Sequence, residues 1–138
     1  MSEPCFVDTN ILMYAVGTDH PLKKPCLEIL EKISRDEIVA VTDTEVFQEV
    51  AYRYWSQKKW AVAVGVLKDT QHLFREIYPI ERRQLDDYYT LLTEYEFLSP
   101  RDAIHVAVMR SHQLTRILTT DRDFQKLPFL RVSLPDQA

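Results

Sequence analysis

Apolar residues fall into short bursts separated by longer stretches with helical spacing, and polar residues mark each changeover. Cys5-Phe6-Val7 is an apolar burst that stops at Asp8-Thr9-Asn10, which predicts a short buried strand followed by a helix start. That helix carries Ile11, Leu12, Tyr14 and Ala15 and breaks at Gly17. His20-Pro21 restarts a helix, proline being acceptable in a first turn, and Leu22, Cys26, Ile29, Leu30 and Ile33 keep its spacing. Ile38–Val41 reads as a second strand. Thr42-x-x-Glu45 then has the form of a capping box ahead of a helix with Val46, Phe47, Val50, Ala51 and Tyr54 on its apolar stripe.

Another helix is expected from about Lys59 to Arg75, with Trp60, Ala63, Val64, Leu67 and Phe74 apolar and Gly65 as a weak point. Ile77–Ile80 is a brief third strand weakened by Pro79, and residues 81–97 follow as a helix. Ser99-Pro100-Arg101-Asp102 has a serine cap, a proline at the first position and an acid in the first turn, so a helix begins there. Arg116–Thr120 is a fourth strand with Asp121 directly after it, and Leu130–Leu134 is a fifth. Short apolar strands alternating with helices predict an α/β protein with a parallel sheet covered on both faces.

In such a sheet the functional crevice lies beyond the carboxyl ends of the strands. Two predicted strands end in an aspartate there, Phe6-Val7-Asp8 and Leu118-Thr119-Thr120-Asp121. Asp102 opens the helix that leads into the second, so three acids converge if the strands are parallel neighbours. Clustered carboxylates repel, and a hard divalent cation such as Mg²⁺ or Mn²⁺ resolves the conflict. Phosphodiester hydrolysis suits an all-oxygen site of this kind. Each acid also has a plainer reading. Asp8 and Asp121 can cap helices, and Asp102 can serve the helix dipole. Glu49 projects away from the apolar stripe of its helix and reads as a solvated partner of Arg53 at i+4.

Composition narrows the setting. A 46% hydrophobic fraction in 138 residues can fill one core, and with 2 glycines no linker is visible, so residues 1–138 read as one domain. The net charge of −4 is unlike that of a strongly basic duplex binder, so a nucleic-acid substrate would need a local basic patch. The two cysteines form no Cys-x-x-Cys pair, and Cys5 reads as a buried free thiol. With no apolar run near membrane-spanning length and no leader-like N-terminus, a soluble, reduced, cytoplasmic protein is expected.

Four segments resemble the motifs of PIN-domain nucleases. Phe-Val-Asp-Thr-Asn-Ile-Leu (6–12) looks like the opening motif, and Val-Phe-Gln-Glu-Val (46–50) like the helix with the second acid. Ser-Pro-Arg-Asp-Ala-Ile-His-Val-Ala (99–107) is similar to the segment with the third, and Leu-Thr-Thr-Asp-Arg-Asp-Phe (118–124) to the closing motif. The resemblance implies a three-layer α/β/α sandwich around a short, mainly parallel sheet, and RNA cleavage dependent on Mg²⁺ or Mn²⁺. It assigns the catalytic metal site to Asp8, Glu49, Asp102 and Asp121, with Asp123 as a secondary candidate and Asn10 and Thr120 as polar supports. Among such nucleases the chain most resembles VapC-type toxins, which implies an RNA substrate, a cognate antitoxin and a homodimer.

Arg101 and Arg122 adjoin proposed ligands and are the preferred phosphate contacts among the basic residues. Tyr52, Tyr54, Trp55 and Trp60 read as packing residues that could also stack bases, and His105 as a surface or half-buried residue. Two other classes compete with the nuclease. A phosphatase using Asp8 as nucleophile wants a second acid two positions on, where this chain has Asn10. A non-catalytic binding module would treat the acids as caps, against which all four stand in place.

Overall fold

The computed structural model describes residues 3–138. Strands β1 (Cys5–Val7), β2 (Ala40–Asp43), β3 (Glu76–Tyr78), β4 (Arg116–Leu118) and β5 (Arg131–Ser133) form one sheet in the order β3-β2-β1-β4-β5. Every pairing is parallel, with Phe6 opposite Val41 on one side and Ile117 on the other. Helices α1 (Thr9–Val16), α2 (Lys23–Ser34), α3 (Thr44–Ser56), α4 (Trp60–Gln71), α5 (Leu85–Glu94) and α6 (Pro100–Ser111) flank it. They pack in consecutive pairs, α1 on α2, α3 on α4 and α5 on α6. The covered parallel sheet expected from the alternation forms, in the α/β/α sandwich that the resemblance implies.

The central strand explains the arrangement. Cys5, Phe6 and Val7 are all buried, because β1 has a strand on each side and helices above and below. From β1 the chain first moves outward to β2 and β3, then returns to place β4 on the opposite side of β1. The order reverses between β1 and β4, and a crevice opens at their carboxyl ends.

Several boundaries differ from the sequence reading for identifiable reasons. β2 begins at Ala40 and runs on through Thr42 and Asp43, both buried, since Thr42 Oγ1 donates to Val7 O at 3.1 Å. The capping box at Thr42 and Glu45 does not form. Asp43 caps α3 instead, its Oδ1 accepting from Val46 N at 3.1 Å. Pro21 stays outside α2, which starts at Lys23, and His20 accepts the Leu22 N–H on Nδ1. The helix expected over 59–75 closes at Gln71, leaving Phe74 to pack edge-on against Phe47, and Val64 faces outward. The stretch 81–97 splits into a 3₁₀ turn, Arg82–Gln84, and α5, because Gln84 Oε1 turns back to cap Glu81 N. No helix of the described residues is long and apolar enough to cross a membrane.

The two glycines make a paired prediction of opposite sign. A Cβ on Gly17, at the end of α1, would sit 2.7 Å from Met13 O, so Gly17→Ala should destabilise by about 1–3 kcal/mol. Gly65 lies on the exposed side of α4 with nothing within 4 Å, so Gly65→Ala should stabilise by about 0.5–1 kcal/mol. Urea unfolding midpoints at unchanged slope measure both.

Candidate active site

β1 delivers Asp8 to the carboxyl edge of the sheet, where burial would favour its neutral form. Burial prevails and holds the carboxyl above its usual range, although the His105 charge and a set of hydrogen bonds oppose it. Thr9 N donates to Asp8 Oδ1 at 2.8 Å, while Thr119 Oγ1 donates to Oδ2 at 2.8 Å and Asn10 Nδ2 at 3.2 Å. Asp8 therefore caps α1 and is oriented from β4's side at once. The cap and the site are one residue doing both jobs.

Thr119 is the hub of this corner. Its hydroxyl also accepts from Asn10 Nδ2 and from Asp121 N, at 3.2 and 3.0 Å, so one buried threonine fixes the backbone of Asp121 and the carboxylate of Asp8. Asn10 bridges Asp8 and the Thr120 N–H. Thr120 contributes that N–H and does not line the acid pocket. The useful hydroxyl belongs to the residue before it.

Glu49 departs most from the solvated reading. It is buried, and its Oε1 accepts from Thr9 Oγ1 at 2.9 Å. Arg101 Nη1 and Arg53 Nη2 stand 3.6 and 3.8 Å from Oε2, so the expected Arg53 partnership exists but at the mouth of a pocket. Burial works against the Glu49 charge, and His105, Thr9 and Arg101 outweigh it, holding the carboxyl below its usual range. Asp102 stands in the first turn of α6, half-buried, with its N–H capped by Ser99 Oγ at 3.1 Å. Burial and the nearby Asp8 push the Asp102 carboxyl up to about 6, with Asp121 adding to the shift.

Asp8, Glu49, Asp102 and Asp121 line one pocket of about 200 Å³, together with Asn10, Arg53, Ser99 and Arg101. Asp123 is not among its walls; it is exposed and pairs with Lys126 at 3.0 Å. Among the described residues no three carboxylate, imidazole or thiolate groups are close enough to grip one metal ion by themselves. An oxygen-only pocket still fits Mg²⁺ or Mn²⁺ in kind, since Mg²⁺ usually keeps several waters and takes only one or two carboxylates.

Asp43 was missed in the sequence, and His105, expected at the surface or half-buried, is instead part of the site. His105 is fully buried, its Nδ1 2.6 Å from Asp43 Oδ2 and its Nε2 3.6 Å from Glu49 Oε1, too far for a hydrogen bond. Nε2 has no other hydrogen-bond partner. Burial disfavours an imidazolium here, but Asp43 and Glu49 overcome it and raise His105 to about 10. A signal was available. Asp43 is another aspartate at the carboxyl end of a strand, and His105 lies one helical turn past Asp102. The stacking candidates divide, with Tyr54 buried and Tyr52, Trp55 and Trp60 exposed along α3 and α4.

The charged His105–Asp43 pair makes a prediction of definite sign. A histidine raised on folding contributes stability fully below its unfolded value near 6.5 and loses it as pH rises through about 10. His105→Gln should cost about 3–5 kcal/mol near pH 6. The difference from the unaltered protein in urea unfolding should shrink toward about pH 10; a gap constant across that range would mean the imidazole is neutral.

Comparison with known proteins places this geometry. Residues 5–130 match the PIN domain family. The chain is 37% identical over 125 residues to Ribonuclease VapC13 of Mycobacterium tuberculosis, covering 91% of this chain and 95% of that one. It is 36% identical over 116 residues to Ribonuclease VapC23 of the same species, covering 84% and 91%. Among solved structures, VapBC2 from Rickettsia felis bound to a promoter DNA fragment aligns with a TM-score of 0.76 at 20% identity, covering 96% of this chain and 98% of that one. Mycobacterium tuberculosis VapC20, described as a sarcin-ricin loop cleaving toxin, aligns at 0.72 with 16% identity, covering 93% and 97%.

Proposed function

The chain belongs to the PIN-domain family, and from that premise we propose that it is an endoribonuclease that hydrolyses RNA phosphodiester bonds with Mg²⁺ or Mn²⁺. The observation that carries the proposal is the convergence of Asp8, Glu49, Asp102 and Asp121, from four separate segments, on one small pocket at the sheet's switch point. The ribonuclease names of its relatives support the substrate class. VapBC complexes among its structural neighbours support a toxin paired with an antitoxin. The exposed Tyr52, Trp55 and Trp60 side chains support a protein contact, with the antitoxin or with a second copy in a homodimer.

In this reading Asp8, Asp102 and Asp121 would face the ion, one or two of them directly and the rest through its waters, and Glu49 would shape its hydration or hold a second one. A divalent ion so bound supplies positive charge against the phosphate and lowers the pKa of water. The protein's own part is orientation. Thr119 and Asn10 fix the Asp8 carboxylate, and Thr9 fixes Glu49 against α1. Arg101 and Arg53 stand at the mouth, placed to take the non-bridging phosphate oxygens that the acids repel. The phosphatase reading loses support, because both Asp8 oxygens are held by hydrogen bonds and the residue is 4% exposed, a poor state for a nucleophile. A non-catalytic module draws on one observation, the Arg53 and Arg101 contacts that already soften the acid charge at Glu49.

Cleavage of tRNA and rRNA with and without Mn²⁺ tests the proposal. Outer-shell supports typically contribute 10–100-fold, so Thr119→Val should cost about that much and Asp8→Asn more than about 100-fold, with the fold retained. Excess EDTA should stop cleavage, and full activity in EDTA or in Asp8→Asn would refute the mechanism. Asp102 adds a pH signature. A carboxyl raised on folding lowers stability once it ionises, so the unliganded protein carries the full penalty above about 6. Mn²⁺ should therefore raise the melting temperature more at about pH 7.5 than at about pH 5; equal shifts would separate Asp102 from the ion.

A further inference from the structure

Beside the acid pocket lies a larger hollow of about 850 Å³, formed by α1 with the turn after it, the end of α3 and the start of α4. The two share Asn10 and Arg53, so they are contiguous. Their charges are opposite. Four carboxylates line the acid pocket, whereas the hollow presents Arg53 and Lys59 and no carboxylate. In a chain of net charge −4 this is a local cationic surface next to the proposed chemistry.

The wall also carries an aromatic pair. The Tyr14 and His20 rings lie 4.5 Å apart at 37°, and both residues line the hollow. Met13, Val16 and Val62 add apolar surface, and Gln57 a polar amide. Flat rings, apolar walls, a few polar groups and flanking cations are what an unstacked nucleotide needs. The volume falls within the roughly 300–1,000 Å³ of ordinary ligand pockets, room for a nucleotide or two and not for a duplex.

Resting on the ribonuclease reading, we infer that this hollow seats unpaired nucleotides next to the scissile phosphate. A base lies against Tyr14 and His20, and Arg53 and Lys59 meet the adjoining phosphates. An A-form helix keeps its bases stacked and offers the hollow only backbone.

The test uses an RNA of about six nucleotides with one 2-aminopurine, bound to the Asp8→Asn protein so that cleavage does not intervene. Binding should quench the fluorophore. Tyr14→Leu should weaken affinity by about tenfold, toward the low end of what a base–aromatic stack contributes. Lys59→Glu should weaken it similarly and flatten the salt dependence by about 0.7 in log–log slope, the loss of one phosphate contact on a single strand. Lys59 is exposed at the start of α4, where an acid suits the helix dipole, so this variant separates binding from folding. In cleavage-competent protein both changes should raise KM and leave kcat. Unchanged affinity and KM in both variants, with RNA still cut by the unaltered chain, would overturn the groove while the nuclease reading stands. No cleavage of any RNA by the unaltered chain with Mn²⁺ would bring down both. Unchanged RNA affinity together with lost binding of a co-expressed antitoxin would hand the hollow to that protein and overturn the inference.

Discussion

Carboxylates crowded at low dielectric repel one another, and this fold sets four of them around a pocket of about 200 Å³. The surrounding structure is organised by that conflict. Asp8 is held by a backbone N–H, a threonine hydroxyl and an asparagine amide; Glu49 by Thr9 with Arg53, Arg101 and His105 nearby. Asp102 has the least help. Its side chain is left to burial and to the charges of Asp8 and Asp121, and its carboxyl stands near 6 as a result. The repulsion is thus partly satisfied by the protein and partly left at Asp8 and Asp102, both held above the usual carboxylate range, where a cation would relieve it.

The sheet makes the crowding possible and the Asp43–His105 pair holds its shape. Asp43 ends β2, caps α3 and binds His105 of α6, so one carboxylate ties the helix bearing Glu49 to the helix bearing Asp102. Burying this pair is costly unless its geometry is good, and a 2.6 Å contact meets that condition. His105 keeps Nε2 pointed toward Glu49 without a full hydrogen bond, a buried polar atom left short beside the acids. A pair of this kind specifies where two helices sit more than it adds to stability.

Much of this was legible from the pattern of residues. Short apolar runs alternating with helices led to a parallel sheet, and β1 and β4, as parallel neighbours, bring Asp8 and Asp121 to one pocket. Glu49 was legible only through the motif resemblance, because a helical projection shows which face is apolar and cannot show that Arg101, from a segment some fifty residues on, closes over the polar face. Thr119 and Thr120 were confused for a similar reason. Both are polar neighbours in one loop, and only the backbone path decides which hydroxyl turns inward to Asp8. The Thr42 box gave way to Asp43, since β2 continues two residues further into the core than its apolar letters suggest.

The central claim is that these acids form a divalent-ion site. Calorimetric titration of Mn²⁺ into the unaltered chain at neutral pH, beside Asp8→Asn and Asp102→Asn, tests it without relying on any RNA. The account predicts saturable binding to the unaltered chain, weakened by at least about tenfold in each variant, the scale expected when a site group is lost. Absence of binding, or binding of equal strength in all three proteins, would contradict it.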